Sequence, residues 1–252
     1  MMKINKDKHI GRVLFIVEGS RNEFNLMRKI FCDILKYEYI EKRRNRPDTF
    51  KSKNDSHSTI AVINTRESNI KDISDHTEYL DAVFELLLNK YQFPVDKSAI
   101  YYLFDRDPES NTDAEMIRSY IETLNNPYEN DIGFHAGQLL LSYPSIEAYT
   151  ISNFCTGSLN LCFHLGSEAK HYISGNRKIQ LNKISEDTLV NAAMEFAEFL
   201  NAEGITWDID DFRSSCYEIF NLQEKEYLIG SGFKIFSMLT LAFLQLGIIE
   251  LN

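Results

Sequence analysis

Positive charge is what this sequence has least of: 27 lysines and arginines face 37 aspartates and glutamates in 252 residues, a formal net charge of -10. That deficit excludes broad, charge-driven binding of nucleic acid by the whole surface. It leaves open a local basic groove or a contact bridged by metal. Cysteine is scarce too. Cys32, Cys155, Cys162 and Cys216 are scattered, mostly in apolar settings, and form no C-x-x-C pair. Buried free thiols are therefore expected rather than a disulfide framework or a paired zinc motif. No apolar run reaches the ~20 residues of a membrane span. The strongest candidate, Phe233 to Ile249, holds Lys234, Gln245 and Gly247 and reads as a buried or partner-facing helix. Met1 to Ile10 is polar and lysine-bearing, unlike a secretory signal, so a cytoplasmic protein with no membrane attachment is expected. The chain also lacks internal repeats, low-complexity tracts and a G-x-x-x-x-G-K-[ST] phosphate loop.

What is present is an alternation of strands and helices. Val13 to Val17 is an unbroken apolar run, as expected for a strand covered on both faces, and it stops at Glu18-Gly19. Gly19 permits a sharp turn. Ser20 with Glu23 makes a capping box for a helix carrying Phe24, Met27, Ile30, Phe31, Ile34 and Leu35, expected to end near Tyr39. Glu41 to Ser58 reads as a polar loop. Thr59 to Asn64 is a second strand, followed by a helix capped by Asp75 and Glu78. Ser98 to Phe104 is a third strand, followed by a helix capped by Thr112 and Glu115. Gln138 to Ser142 is a fourth, with Pro144 opening a short helix through Ile151. This order predicts an α/β fold: a parallel sheet of about four strands with helices on both faces, over residues 10–153. Residues 154–252 change character and predict a mostly α-helical subdomain.

Carboxylates close three of the four strands, at the edge where α/β sheets collect ligands. Asp105 and Asp107 alternate onto one side of a strand end, with Phe104 and Arg106 on the other. They fit either oxygen ligation of Mg²⁺ or turn chemistry before Pro108. Glu147 fits either the same edge or the dipole of its own helix. Lys42, Arg43, Arg44, Arg46, Lys51 and Lys53 make the first long loop locally basic, suited to phosphate or to solvent. His171, Arg177, Lys178 and Lys183 offer a second cationic edge in a region otherwise read as structural.

Glu18-Gly19 with Glu23, then Asp105-Arg106-Asp107, then Ser142-Tyr143-Pro144-Ser145-Ile146-Glu147, resembles the TOPRIM domain. The version it most resembles is that of OLD-family nucleases and of RloB-like and abortive-infection proteins of bacterial defence loci. It departs from that pattern at Tyr143, where Asn is usual, and at Ser20 and Arg21, where Lys or Thr is common. The resemblance implies one or two Mg²⁺ or Mn²⁺ ions serving phosphodiester cleavage, a hydrolase of DNA or RNA acting in anti-phage defence. On that basis Glu18, Asp105 and Asp107 are the expected catalytic and metal-binding residues. Glu23 and Glu147 are expected as further ligands, and Arg43, Arg44, Arg46 and Lys178 as nucleic-acid contacts. The alternative is a non-cutting TOPRIM-like regulatory or scaffold subunit that binds an ATPase partner, since this chain has no ATPase motif of its own. Self-association is left open.

Overall fold

The computed structural model describes residues 2–19, 21–40, 47–64, 81–82, 85–90, 97–128 and 137–251. Strand β1 (Met2–Ile4) precedes β2 (Arg12–Val17), and helix α1 (Asn22–Arg28) runs on into a π-helical turn, Lys29–Ile34. Next come β3 (Glu38–Ile40), β4 (Asp48–Lys51) and β5 (Thr59–Asn64). Then β6 (Ser98–Asp105), α2 (Ala114–Thr123), β7 (Asn125–Asn126) and β8 (Gly137–Tyr143) lead to α3 (Glu147–Phe154). The remainder is β9 (Cys162–Phe163), α4 (Gly166–Gly175), α5 (Glu186–Ala202), α6 (Arg213–Leu228), β10 (Phe233–Lys234), β11 (Phe236–Ser237), α7 (Leu239–Gln245) and β12 (Ile249–Leu251).

The chain forms two compact units. One comprises His9–Leu103 and Glu115–Leu139, the other Met1–Lys8, Phe104–Ala114 and Leu140–Asn252. They follow contacts, whereas the division expected at Asn153 follows a change in sequence character. β6 and β8 each contribute residues to both.

In the first unit β2 lies between β5 and β6 and is parallel to both, Val17 pairing with Asn64 and with Leu103. Val13–Val17 are fully buried, as the unbroken apolar run requires of a central parallel strand. Phe15 stacks on Tyr101 with centroids 5.4 Å apart. The sheet is mixed, not purely parallel, because β4 pairs antiparallel with β5 and β3 with β4. β4 falls inside the expected polar loop. Its Asp-Thr-Phe-Lys has one apolar residue, Phe50, which is buried against Phe31 and Tyr39, and one residue displays no period. The first helix also ends earlier than Tyr39. Lys36 takes a positive φ of 64°, which breaks the helix and frees Tyr39 for β3. The Asp75–Glu78 cap and Arg43, Arg44 and Arg46 lie outside the described residues.

In the second unit β11 pairs antiparallel with the end of β8, Phe236 opposite Tyr143. β9 pairs with β10 and β1 with β12, both antiparallel. Ser185 caps α5 in a box completed by Thr188. Leu189, Ala192, Ala193, Phe196, Phe199 and Leu200 are buried at helical spacing along one side of α5. Phe236 packs on Phe199 and Phe196 at 4.1 and 5.2 Å. The region after Asn153 is thus mostly helical but also lends strands to its neighbours. The apolar stretch from Phe233 is divided into β10, β11 and a buried α7 because Phe233, Phe236 and Leu239 are each drawn into packing. Among the described residues, no helix is long and apolar enough to cross a membrane. All four cysteines are free, but only Cys216 is buried; Cys32 and Cys155 are partly exposed and Cys162 is exposed.

Candidate functional site

β6 ends its buried run at Asp105, and Asp105-Arg106-Asp107 turns away from the sheet in the second unit. Both aspartates hold the approach to a helix. Asp105 Oδ1 accepts the backbone N–H of Ile146, at the threshold of α3, at 2.8 Å. Asp107 Oδ2 accepts the N–H of Gly166, the first residue of α4, at 3.0 Å. Its Oδ1 accepts the N–H of Glu109 at 3.1 Å, closing an Asx turn. Carboxylates placed here satisfy orphan donors and complement the helix dipoles. Glu147 is buried, and its Oε2 accepts the Ser145 hydroxyl at 2.7 Å.

Gly166 is fixed by space. A Cβ there would stand 2.6 Å from Asp107 Oδ2 and 3.0 Å from Ser145 Cβ. Asp105, through Ile146, and Asp107, through Gly166 beside Ser145, therefore both border the turn Pro144 to Glu147, on which Glu147 stands. Gly166→Ala is expected to displace Asp107 and to cost far more in any activity of this turn than in the melting temperature. Equal loss of both would make Gly166 a packing residue alone.

Arg106 is the residue that alternation hid. Placed opposite the two aspartates, it is only 3% exposed. Its Nε and Nη2 donate to the Glu224 carboxylate of α6 at 2.6 and 2.8 Å, and Nη1 donates to the Asn111 carbonyl at 3.0 Å. The guanidinium lies 5.5 Å from the centroid of Phe233, which stacks on Tyr227. The Asn111 carboxamide donates to the Asp105 carbonyl at 2.6 Å, bracing the same turn. A lone arginine between two aspartates was the available signal; Glu224, 118 residues onward, was not readable. Burial, reinforced by Glu224, raises the Tyr143 hydroxyl well above its ordinary pKa, so it remains protonated.

Glu18 and Glu23 belong to the first unit. β2 ends at Val17, opposite Leu103, and the Glu18 N–H donates to the Leu103 carbonyl at 3.2 Å. β6 continues for two residues to Asp105. Glu23 is buried in the first turn of α1 and reaches back to accept the Gly19 N–H at 3.2 Å. Ser20 of the expected capping box lies outside the described residues; the backward reach of Glu23 ends on Gly19, and the N-cap residue is Arg21, without a side-chain cap bond. Gly19 does not occupy the left-handed region; a Cβ there would collide with the Glu23 carboxylate. Lys178 is exposed just beyond α4.

The donors around the Pro144–Glu147 turn are oxygens of hard character. Among the described residues no three His, Cys, Asp or Glu side chains are grouped so as to hold one ion. Mg²⁺ commonly takes only one or two protein carboxylates and completes its shell with water and substrate phosphate. Asp105 and Asp107 suit that mode: Asp105 accepts an N–H at one oxygen and Asp107 at both, and a carboxylate oxygen that accepts one N–H keeps a further lone pair for an ion. No family model, curated protein or solved structure matches this chain.

Proposed function

We propose that this chain is a divalent-metal-dependent nuclease of TOPRIM-like type, hydrolysing phosphodiester bonds in DNA or RNA as an effector of anti-phage defence. One observation carries most of the support: the Asp105 carboxylate bonds to Ile146 N–H, so the second and third acidic motifs share one turn. Asp105 and Asp107 would hold Mg²⁺ or Mn²⁺, with Glu147 beside them. Glu18 and Glu23 are assigned roles by the resemblance alone. When bound, the metal supplies charge stabilisation of the phosphoryl oxygens in an in-line displacement. The Ser145 hydroxyl orients Glu147, and the Arg106–Glu224 pair holds the Asp-Arg-Asp turn in place. The test is incubation of purified protein with plasmid, linear DNA and tRNA under Mg²⁺ or Mn²⁺, with and without chelator. Chelator-sensitive cleavage is expected; its absence on all three substrates rejects the proposal.

A second reading has its own observation. Both aspartates already serve as helix caps, which suffices to explain them in a non-cutting subunit that binds an ATPase partner. The basic loop separates interests further. Replacing Arg43, Arg44 and Arg46 together with Ala is expected to weaken nucleic-acid binding and flatten its salt dependence by up to about three charges. Unchanged affinity at low and moderate salt would make the loop a solvated connection.

A further inference from the structure

The second unit carries an open cleft of about 420 Å³ that the metal-binding reading leaves unused. Its walls are Phe163 from β9 and Ser167, Glu168, His171 and Tyr172 from α4. The four helical residues recur at the spacing of one helix face. Phe163 and Tyr172 stand with ring centroids 5.5 Å apart and planes inclined at 53°, so they make an angled aromatic corner, not a closed stack. The corner is preformed. Both rings pack on the buried cluster of Ala148, Ile151, Ala169, Ile179 and Ile235. Glu168 is partly committed elsewhere, its Oε2 accepting the His164 N–H at 2.7 Å.

Size and charge restrict the occupant. The volume falls at the lower end of small-ligand sites, suited to one planar ring system. Beyond the helix, exposed Arg177 and Lys178 follow within about 15 Å of Tyr172 along the chain. An aromatic platform followed by cations is the arrangement that holds single-stranded nucleic acid: a base stacks while the backbone meets positive charge. The same helix begins at Gly166, whose N–H is held by Asp107. His171 lies five residues on, about 7.5 Å along the axis. A strand stacked in the corner and reaching Arg177 and Lys178 would thus run along α4, whose other end stands at the Asp-Arg-Asp turn.

We propose that the Phe163–Tyr172 cleft is a base-stacking subsite for single-stranded nucleic acid, with Arg177 and Lys178 as its phosphate contacts. This rests on the nuclease reading and names its substrate as unpaired strand. The test uses full-length protein in EDTA, where metal-dependent cleavage cannot proceed. A fluorescent 12-nucleotide thymidine strand carrying one 2-aminopurine, its uridine counterpart and a 12-base-pair duplex serve as probes. The single strands are expected to bind with quenching of 2-aminopurine, and the duplex to bind without it. Tyr172→Ala should weaken single-strand binding roughly 5- to 150-fold and remove the quenching. Tyr172→Phe should keep both. Arg177→Ala with Lys178→Ala should lower the salt slope and leave the quenching at saturation unchanged. Because Tyr172→Ala also trims a packed ring, the wild type is photocrosslinked in parallel to a 4-thiouridine strand. Crosslinks are expected in the peptide spanning residues 163–172. Binding unaffected by Tyr172→Ala in a folded variant, or crosslinks confined to other peptides, overturns the subsite. If the wild type binds and quenches as expected but does not cut under Mg²⁺ or Mn²⁺, the nuclease reading fails and the subsite stands. If it cuts while Tyr172→Ala leaves binding intact, the subsite fails and the nuclease reading stands.

Discussion

Asp107→Asn is expected to abolish metal-dependent cleavage while leaving the fold close to its original stability. Asn caps a helix about as well as Asp but keeps only one acceptor oxygen, so the contact to Gly166 or the one to Glu109 can persist without the charge while the other is lost, a smaller loss than removing both. Asp107→Ala removes the acceptor as well and should cost about 0.5–2 kcal/mol. Charge repulsion alone would give the opposite sign, because deleting one of several repelling carboxylates would raise stability without metal. The structure reverses it: Asp107 is held by backbone donors, and its loss leaves them without their partner. Metal binding supplies an independent readout. At a concentration of 100 times Kd, an ion that binds only the folded protein adds about 2.7 kcal/mol. Wild type should therefore melt higher with Mg²⁺ or Mn²⁺, and Asp105→Asn and Asp107→Asn should lose most of that increment. Glu18→Gln tests the assignment drawn from the resemblance in the same two assays. Variants that cut normally and show the same metal-induced increment would reduce these aspartates to caps and favour the binding-subunit reading.

Glu224→Ala is expected to be the most destabilising single change at this turn, by about 3–5 kcal/mol. It strands the Arg106 guanidinium, 3% exposed, without the carboxylate that accepts two of its donors. For a chain of this size that corresponds to a melting temperature lower by roughly 6–20 °C. Arg106→Met with Glu224→Leu should recover much of the loss, since removing both charges removes the desolvation cost together with the attraction. The recovered double variant is then the informative one for function. With Arg106 no longer bound to α6, metal affinity and turnover are expected to fall even where stability returns. A single variant melting within about 2 °C of wild type would show the pair to be solvated and the turn to be held by other means.

The central strands were legible because their cause is local. An uninterrupted apolar run favours a strand covered on both faces, and Val13–Val17, Thr59–Asn64 and Ser98–Asp105 lie side by side as parallel strands of the mixed sheet. The start of α5 has an equally local cause, since Ser185 carries its own cap. The Asp-Arg-Asp motif and the turn at Ser145 were visible as residue types at strand ends. Tertiary structure alone decided what those residues touch. β4 and β11 entered sheets through single aromatic residues, Phe50 and Phe236, whose burial depends on rings far off in the chain. Arg106 was drawn inward by Glu224, and both aspartates were turned toward helix N-termini that begin 41 and 59 residues later. Hydrophobic periodicity records what a segment needs from its surroundings. A charged side chain records only that it needs a partner, and which partner arrives is fixed by the packing of the whole unit.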